Sequence, residues 1–256
     1  MGTIKPVTYI RPMSRGKSSP HLIACSDGRR YVVKFKNNPQ GDWVLINEFI
    51  VNHLGALLEL PIPRYKTIRI TKQFIEEYDE LRSKSFRSGR QSASRFVERA
   101  LHVTDLDSRP KRHEIKNVDQ VPGLIVFDHY TSNSDRNEKN LLLVPKGNQY
   151  VFQMIDHTNC FNITPDNPSR EFLPLSVRRG KVFRWFHTLI THKKQLMDYV
   201  DKITAIHNDD LRHIIDMLPD DWNVSDSYQE ALYKHLKYAK KALPGVMREY
   251  IDKNNI

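Results

Sequence analysis

Residues 127–144 read FDHYTSNSDRNEKNLLLV. An apolar stretch closes at Tyr130, a polar loop follows with Asp135 and, five residues on, Asn140, and an apolar run starts at once at Leu141. Leu141 to Val144 and Tyr150 to Ile155 have the length and residue types of two short strands, read as a hairpin, and Asp156 ends the second of them. That order brings Asp135, Asn140 and Asp156 to one edge of one structural unit. One carboxylate to accept or orient a hydroxyl proton, with an amide and a second carboxylate to hold Mg²⁺ against nucleotide phosphates, is the oxygen set that phosphoryl transfer uses. A D-x-x-x-x-N spacing is weak by itself, because loop Asp and Asn residues more often cap turns. The trio needs support from another part of the chain.

Such support lies upstream. In Tyr31-Val32-Val33-Lys34-Phe35-Lys36 a lysine alternates with apolar neighbours in a strand pattern, and Glu48 follows on the next helix. Lys34 can reach nucleotide phosphates while Glu48 fixes its direction. Lys36 shares a strand face with Lys34, so position alone does not separate the two, and an edge-strand lysine with a helix-face glutamate is the plainer reading. Ser14-Arg15-Gly16-Lys17-Ser18-Ser19-Pro20 is a small polar turn around one glycine that can offer backbone amides to a phosphate, although it matches neither GxGxxG nor a Walker A loop.

Around these residues the first hundred positions read as strands with one helix. Val7 to Ile10, His21 to Ser26 and Arg30 to Lys36 are strands, the last two joined across Asp27-Gly28. Asp42 is placed as N-cap of a helix through WVLINEFIVNHLGALLEL, ended by Pro61 and Pro63, and Tyr65 to Ile70 is a further strand. Lys72 to Leu81 reads as a charged helix or an extended strand. The segment 82–95, RSKSFRSGRQSASR, reads as a basic loop or insert, either solvated or binding a phosphorylated or nucleic-acid partner; Phe96 to Val103 reads as a short bridging strand. Asn117 to Tyr130 suits a buried helix, and amphipathic helices such as VFRWFHTLITHKKQLMDYV and YQEALYKHLKYAKKAL fill the stretch from Ser176. Strands first, a hairpin in the middle and helices last imply two lobes with a cleft between them.

The totals fit this reading and exclude others. With 256 residues and 39% hydrophobic content the chain can bury a real core in each lobe. No apolar run reaches the roughly 18 residues of a spanning helix and no signal-peptide pattern opens the chain, so a cytoplasmic protein without membrane contact is expected. Cys25 and Cys160 are far apart, with no metal-ligand spacing. A net charge of +10 favours anionic partners without singling out nucleic acid.

In this order, SSPHLIACSDGRRYVVKFK, NEFIVNHLGALLELPIP, SGRQSASRF, FDHYTSNSDRNEKNLLL and MIDHTNCF resemble the HipA-like kinases, in particular the short HipA-like kinase-domain family of bacteria, over residues 14–161. More distantly they are similar to protein kinases and phosphatidylinositol kinases. The resemblance implies an α+β, two-lobed protein kinase-like fold, with a β-rich N-lobe over 1–100 and a mainly helical C-lobe over 101–256. It implies ATP and Mg²⁺ as cofactors, Lys34 on the ATP phosphates with Glu48 as its partner, Asp135 as the catalytic aspartate and Asn140 and Asp156 as metal ligands. Lys17, Ser18 and Ser19 would form the phosphate loop, and Phe96 to Leu101 the adenine hinge. Asn133-Ser134 stands where protein kinases have His-Arg, and His157-Thr158 where they have Phe-Gly, so control by a phosphorylated activation loop is not implied; nor, with the match beginning at the phosphate loop, is pairing with a DNA-binding antitoxin. The expected function is an ATP- and Mg²⁺-dependent phosphotransferase, a HipA-like serine/threonine kinase with a protein substrate. The alternative is a nucleotide-binding pseudokinase or scaffold that acts through protein or nucleic-acid contacts of the basic segment, a nucleic-acid partner being the less favoured.

Overall fold

The computed structural model describes residues 4–162 and 175–256. The hairpin expected at Asp27-Gly28 forms: Gly28, at φ +71°, donates its N–H to the Cys25 carbonyl at 3.0 Å, a left-handed turn position that glycine takes without steric cost. It lies within a five-stranded antiparallel sheet of β1 (Pro6–Pro12), β2 (His21–Cys25), β3 (Arg30–Lys36), β4 (Tyr65–Ile70) and β5 (Arg87–Arg95), ordered β1-β2-β3-β5-β4. Tyr31, Val33 and Phe35 of β3 pack with Ile23, Ile68, Phe86 and Ala93 in one hydrophobic cluster. The period of two therefore sends Lys34 and Lys36 to the other face.

Strand β5 corrects the reading of 82–95 as a basic loop. Arg82 closes a short helix, residues 83–85 form a turn, and Arg87–Arg95 becomes a strand between β3 and β4, with Ser92 opposite both Lys34 and Thr67. The strand is polar, but its two neighbours complete its backbone hydrogen bonds, and the small Ser92 and Ala93 fit where both are buried. Partner strands, not apolar content, select it.

Helix α1 (Trp43–Leu57) follows the predicted apolar spacing. Asp42 occupies its N-cap position but does not cap it; its backbone is helical and its carboxylate accepts instead from the Asn37 N–H. Lys72 to Leu81 takes the helical alternative, as α2 (Lys72–Glu77), capped by Thr71, and α3 (Asp79–Arg82). Of the strand expected over Phe96 to Val103 only β6 (Leu101–His102) forms, and it joins a different sheet, β6-β7-β8, with β7 (Leu141–Lys146) and β8 (Gln149–Met154). Helix α4 (Val121–Tyr130) is buried at all ten residues; Pro122 is accepted in its first turn, and Asn117 to Gln120 are a lead-in rather than part of it.

Among the described residues four more helices follow: α5 (Lys181–His187), α6 (Lys194–Thr204), α7 (Asn208–Asp216) and α8 (Asp226–Asn254). Residues 182–200, expected as one helix, are two, because the Gln195 side chain reaches back to accept the Thr191 and His192 N–H groups and starts α6 afresh. A second, larger hydrophobic cluster joins these helices with α4, the β7–β8 hairpin and α1. Helix α1 is thus built into the helical core while it also touches the sheet. Cys25 is buried in the first cluster and Cys160 in the second, both as free thiols.

Candidate active site

Lys34 and Glu48 meet as expected, and Asp156 joins them. Lys34 Nζ donates to Glu48 Oε1 at 2.5 Å, Asp156 Oδ1 at 2.8 Å and Thr158 Oγ1 at 2.9 Å, so its three N–H groups all have partners. Thr158 also donates to Asp156 Oδ1 at 2.7 Å, and the His157 N–H donates to Glu48 Oε1 at 2.9 Å. The His157 ring stands 3.6 Å from Glu48 Oε2, beyond hydrogen-bond reach. Burial disfavours charge on Lys34, yet Asp156 and Glu48 outweigh it and raise its pKa. Burial likewise pushes the Glu48 carboxyl up, but Lys34 and His157 hold it far below the usual carboxylate range. Asn52 Nδ2 bonds Glu48 Oε2 at 3.2 Å, and Asn47 Nδ2 bonds the carbonyls of Thr158 and Cys160, so α1 carries both the glutamate and the ties that hold the segment after Asp156. Lys36, which the strand period left equivalent to Lys34, bonds Asp221 instead.

The second half of the site is the loop between α4 and β7. Asp135 is exposed, and amides surround it: Asn137 Nδ2 lies 3.0 Å from Oδ1, Asn140 Nδ2 bonds the Asp135 carbonyl at 2.8 Å, and Asn159 Nδ2 lies 3.5 Å from Oδ2. The Ile155 N–H donates to the Asn140 carbonyl at 3.0 Å, which ties the loop to the residue before Asp156. Asp156 itself sits at φ +58°, a left-handed conformation that Asp adopts more readily than most non-glycine residues. Asn140 and Asp156 offer hard oxygen donors of the kind Mg²⁺ takes. Among the described residues no group of three or more His, Cys, Asp or Glu could hold a metal ion.

Lys17, Ser18 and Ser19 lie in the β1–β2 turn and hydrogen-bond none of these groups. Lys17 is exposed, Ser18 is buried, and Ser19, at φ +48°, donates its N–H to the Gly16 carbonyl. Arg15 ties this turn to Asp105, just beyond β6, at 3.0 Å. Phe96 to Leu101 is the stretch that leaves β5 and reaches β6.

A family model described as HipA-like kinase matches residues 7–249. The chain belongs to that family. As a HipA-like kinase it is a protein kinase-like phosphotransferase, and solved structures agree in fold. The proinflammatory kinase CtkA of Helicobacter pylori superposes with a TM-score of 0.65 at 14% identity, covering 100% of both chains. HipA of Shewanella oneidensis MR-1, in a toxin–antitoxin complex with HipB and operator DNA, gives 0.56 at 10% identity over 98% of this chain and 74% of that one. A Golgi casein kinase with Mn and ADP bound gives 0.53 at 11% identity over 96% and 73%. No curated protein matches the chain significantly. The fold is the α+β protein kinase-like one, sheet-rich first and helical after, and no helix among the described residues is long and apolar enough to cross a membrane.

In this HipA-like kinase several residues not among the expected site residues also build the site. Thr158 is a third partner of Lys34; Asn47 and Asn52 are buried polar residues on a mainly apolar helix, a pattern that could have marked them. Asp128 and Arg136 form a fully buried bidentate pair behind Asp135, with Arg136 Nε to Asp128 Oδ2 at 2.8 Å and Nη2 to Oδ1 at 3.0 Å. Arg136 Nη1 also donates to the carbonyls of Asn140 and Ile155, so one guanidinium braces the loop from Asp135 to Asn140 against the end of β8.

Proposed function

We propose that the chain is an ATP- and Mg²⁺-dependent kinase that transfers the γ-phosphoryl group to a hydroxyl of a protein, of serine/threonine type. The observation that carries this reading is the Lys34, Glu48 and Asp156 cluster, with Asp135 and Asn140 tied to the same hairpin end. Lys34 holds the phosphates of the nucleotide, and Glu48 keeps the ammonium charged and aimed. Asn140 and Asp156 would hold Mg²⁺, which would supply neutralisation of the phosphate charge. Every Lys34 N–H already has a partner, so a phosphate oxygen on Lys34 would take the place of Asp156 or Thr158, and Asp156 would then be free to act as a metal ligand. Asp135, exposed and held by amides rather than by a cation, accepts or orients the proton of the attacking hydroxyl while ADP leaves. Lys17, Ser18 and Ser19 cover the phosphates, and Phe96 to Leu101 borders the base. For the scaffold alternative, the segment it relies on is in part strand β5, where Arg90 is paired with Asp220 and Asp221 while Lys84, Arg87 and Arg95 are exposed.

The test is transfer of labelled γ-phosphate from ATP with Mg²⁺ to the protein itself or to added protein acceptors. Asp135→Asn is expected to lower transfer by roughly 10²–10⁴-fold with nucleotide binding retained. Nucleotide binding by the wild type without transfer to any acceptor would overturn the enzyme reading.

A further inference from the structure

The face of β3 that carries Lys34 also carries Lys36, and Lys36 leads out of the site. Its ammonium lies 3.2 Å from Asp221 Oδ2 and 3.1 Å from the Asp221 carbonyl, in the turn Asp220–Trp222 between α7 and α8. The same carboxylate accepts the Arg90 backbone N–H and the Arg90 Nε, each at 2.7 Å. Arg90 Nη2 reaches Asp220 at 3.1 Å, and the Trp222 indole N–H returns to the Arg90 carbonyl at 2.8 Å. Two strands of the sheet are thereby closed on one turn of the helical part, 131 to 185 residues away in sequence. The fit leaves no slack: a Cβ at Gly89, at φ +115°, would overlap both Asp221 Oδ2 and Lys36 Nζ. Strand β3 carries an irregularity between Lys34 and Lys36, and the buried Gln91 side chain fills it by accepting the Lys36 N–H at 2.7 Å. On the other side of the turn, Trp222 packs edge-on against Phe49 at 5.8 Å, the residue next to Glu48.

The clamp therefore touches the strand two residues beyond Lys34 and the helix one residue beyond Glu48. We propose that Asp221 is a positioning residue: by closing β3 and β5 onto the turn between α7 and α8 it sets the spacing between sheet and helical part, and so the seat of Lys34 against Glu48 and Asp156. Surface ion pairs contribute little, but this carboxylate is only 28% exposed and accepts from three donors on two strands, so losing it releases several contacts together. The effect on nucleotide rests on the kinase reading above; the effect on spacing does not.

The experiment separates the two. Nitroxide labels at exposed Arg29→Cys on the β2–β3 turn and Arg248→Cys on α8, with buried Cys25 and Cys160 left in place, report the spacing by electron–electron resonance. The parent is expected to give one narrow distance, and Asp221→Ala a broader or longer distribution. In parallel, Asp221→Ala is expected to raise the KM for ATP and the Kd of a non-hydrolysable analogue with Mg²⁺ about tenfold, with a smaller change in kcat. Should Asp221→Ala not fold, Lys36→Met, which keeps the strand and the aliphatic stem, is expected to shift both readouts the same way by less. A folded variant with lowered Tm but unchanged distance distribution overturns the proposal and leaves Asp221 a stability residue. If the parent binds no nucleotide, the kinase reading fails, and the distance measurement still decides the clamp.

Discussion

Asp128 and Arg136 show how much of a reactive loop's geometry is decided behind it. Both side chains are fully buried, and Asn133 Nδ2 bonds Asp128 Oδ1 at 2.8 Å, so the pair is held on both sides. Removing one member of such a pair strands the other as an uncompensated charge, whereas replacing both with apolar groups does not. Asp128→Asn is expected to cost about 3–5 kcal/mol of stability, read as a lower urea midpoint. The double variant Asp128→Leu with Arg136→Met is expected to lose less than Asp128→Asn does. If it regains stability but not phosphoryl transfer, the pair serves loop geometry; equal losses in single and double variants would contradict the stranded-charge account.

Among the elements, β5 holds the most information that local reading missed. Its Gln91 side chain, fully buried, donates to the carbonyls of Arg87 at 2.7 Å and Gly89 at 3.2 Å besides accepting the Lys36 N–H, and so replaces ladder bonds where the β3–β5 register slips. Gln91→Leu would leave those backbone groups unpaired at about 1–3 kcal/mol for each one buried; a denaturant titration is expected to show a loss of a few kcal/mol, and a neutral result would mean that water or a shifted register takes over. The β2–β3 hairpin, α1 and the Asp135-to-Asn140 loop were legible because their signals are local: a turn glycine, helical spacing, a polar loop before an apolar run. Strand β5 was not, because a run rich in Ser and Arg becomes a strand only between partners found elsewhere in the chain. Lys34 and Lys36 were indistinguishable for the same reason: Glu48, 14 residues on, takes the first, and Asp221, 185 residues on, takes the second. Asp128 lies within the stretch expected as a buried helix, and nothing in a periodic pattern announces its partner eight positions later.

At the scale of the whole molecule, stability and charge state are linked through buried imidazoles. Burial pushes His129 and His235 down to about 4, whereas in an unfolded chain they titrate near 6.5. Between those values the unfolded chain binds more protons, so stability is full above about pH 6.5 and is lost as pH falls toward 4. Each histidine is expected to remove about 2 kcal/mol between pH 7 and pH 5, so Tm falls across that range, and His129→Gln flattens the slope; an unchanged slope would show that other groups control it. Because α1 belongs to the helical core while Lys34 sits on β3, the Lys34–Glu48 pair joins sheet and core and depends on both. The two free cysteines divide along the same line, Cys25 4% exposed in the sheet and Cys160 3% exposed in the core. Each is a built-in clock: the rate at which a thiol reagent consumes one or the other times the breathing of its own half, without any foreign probe being attached beforehand.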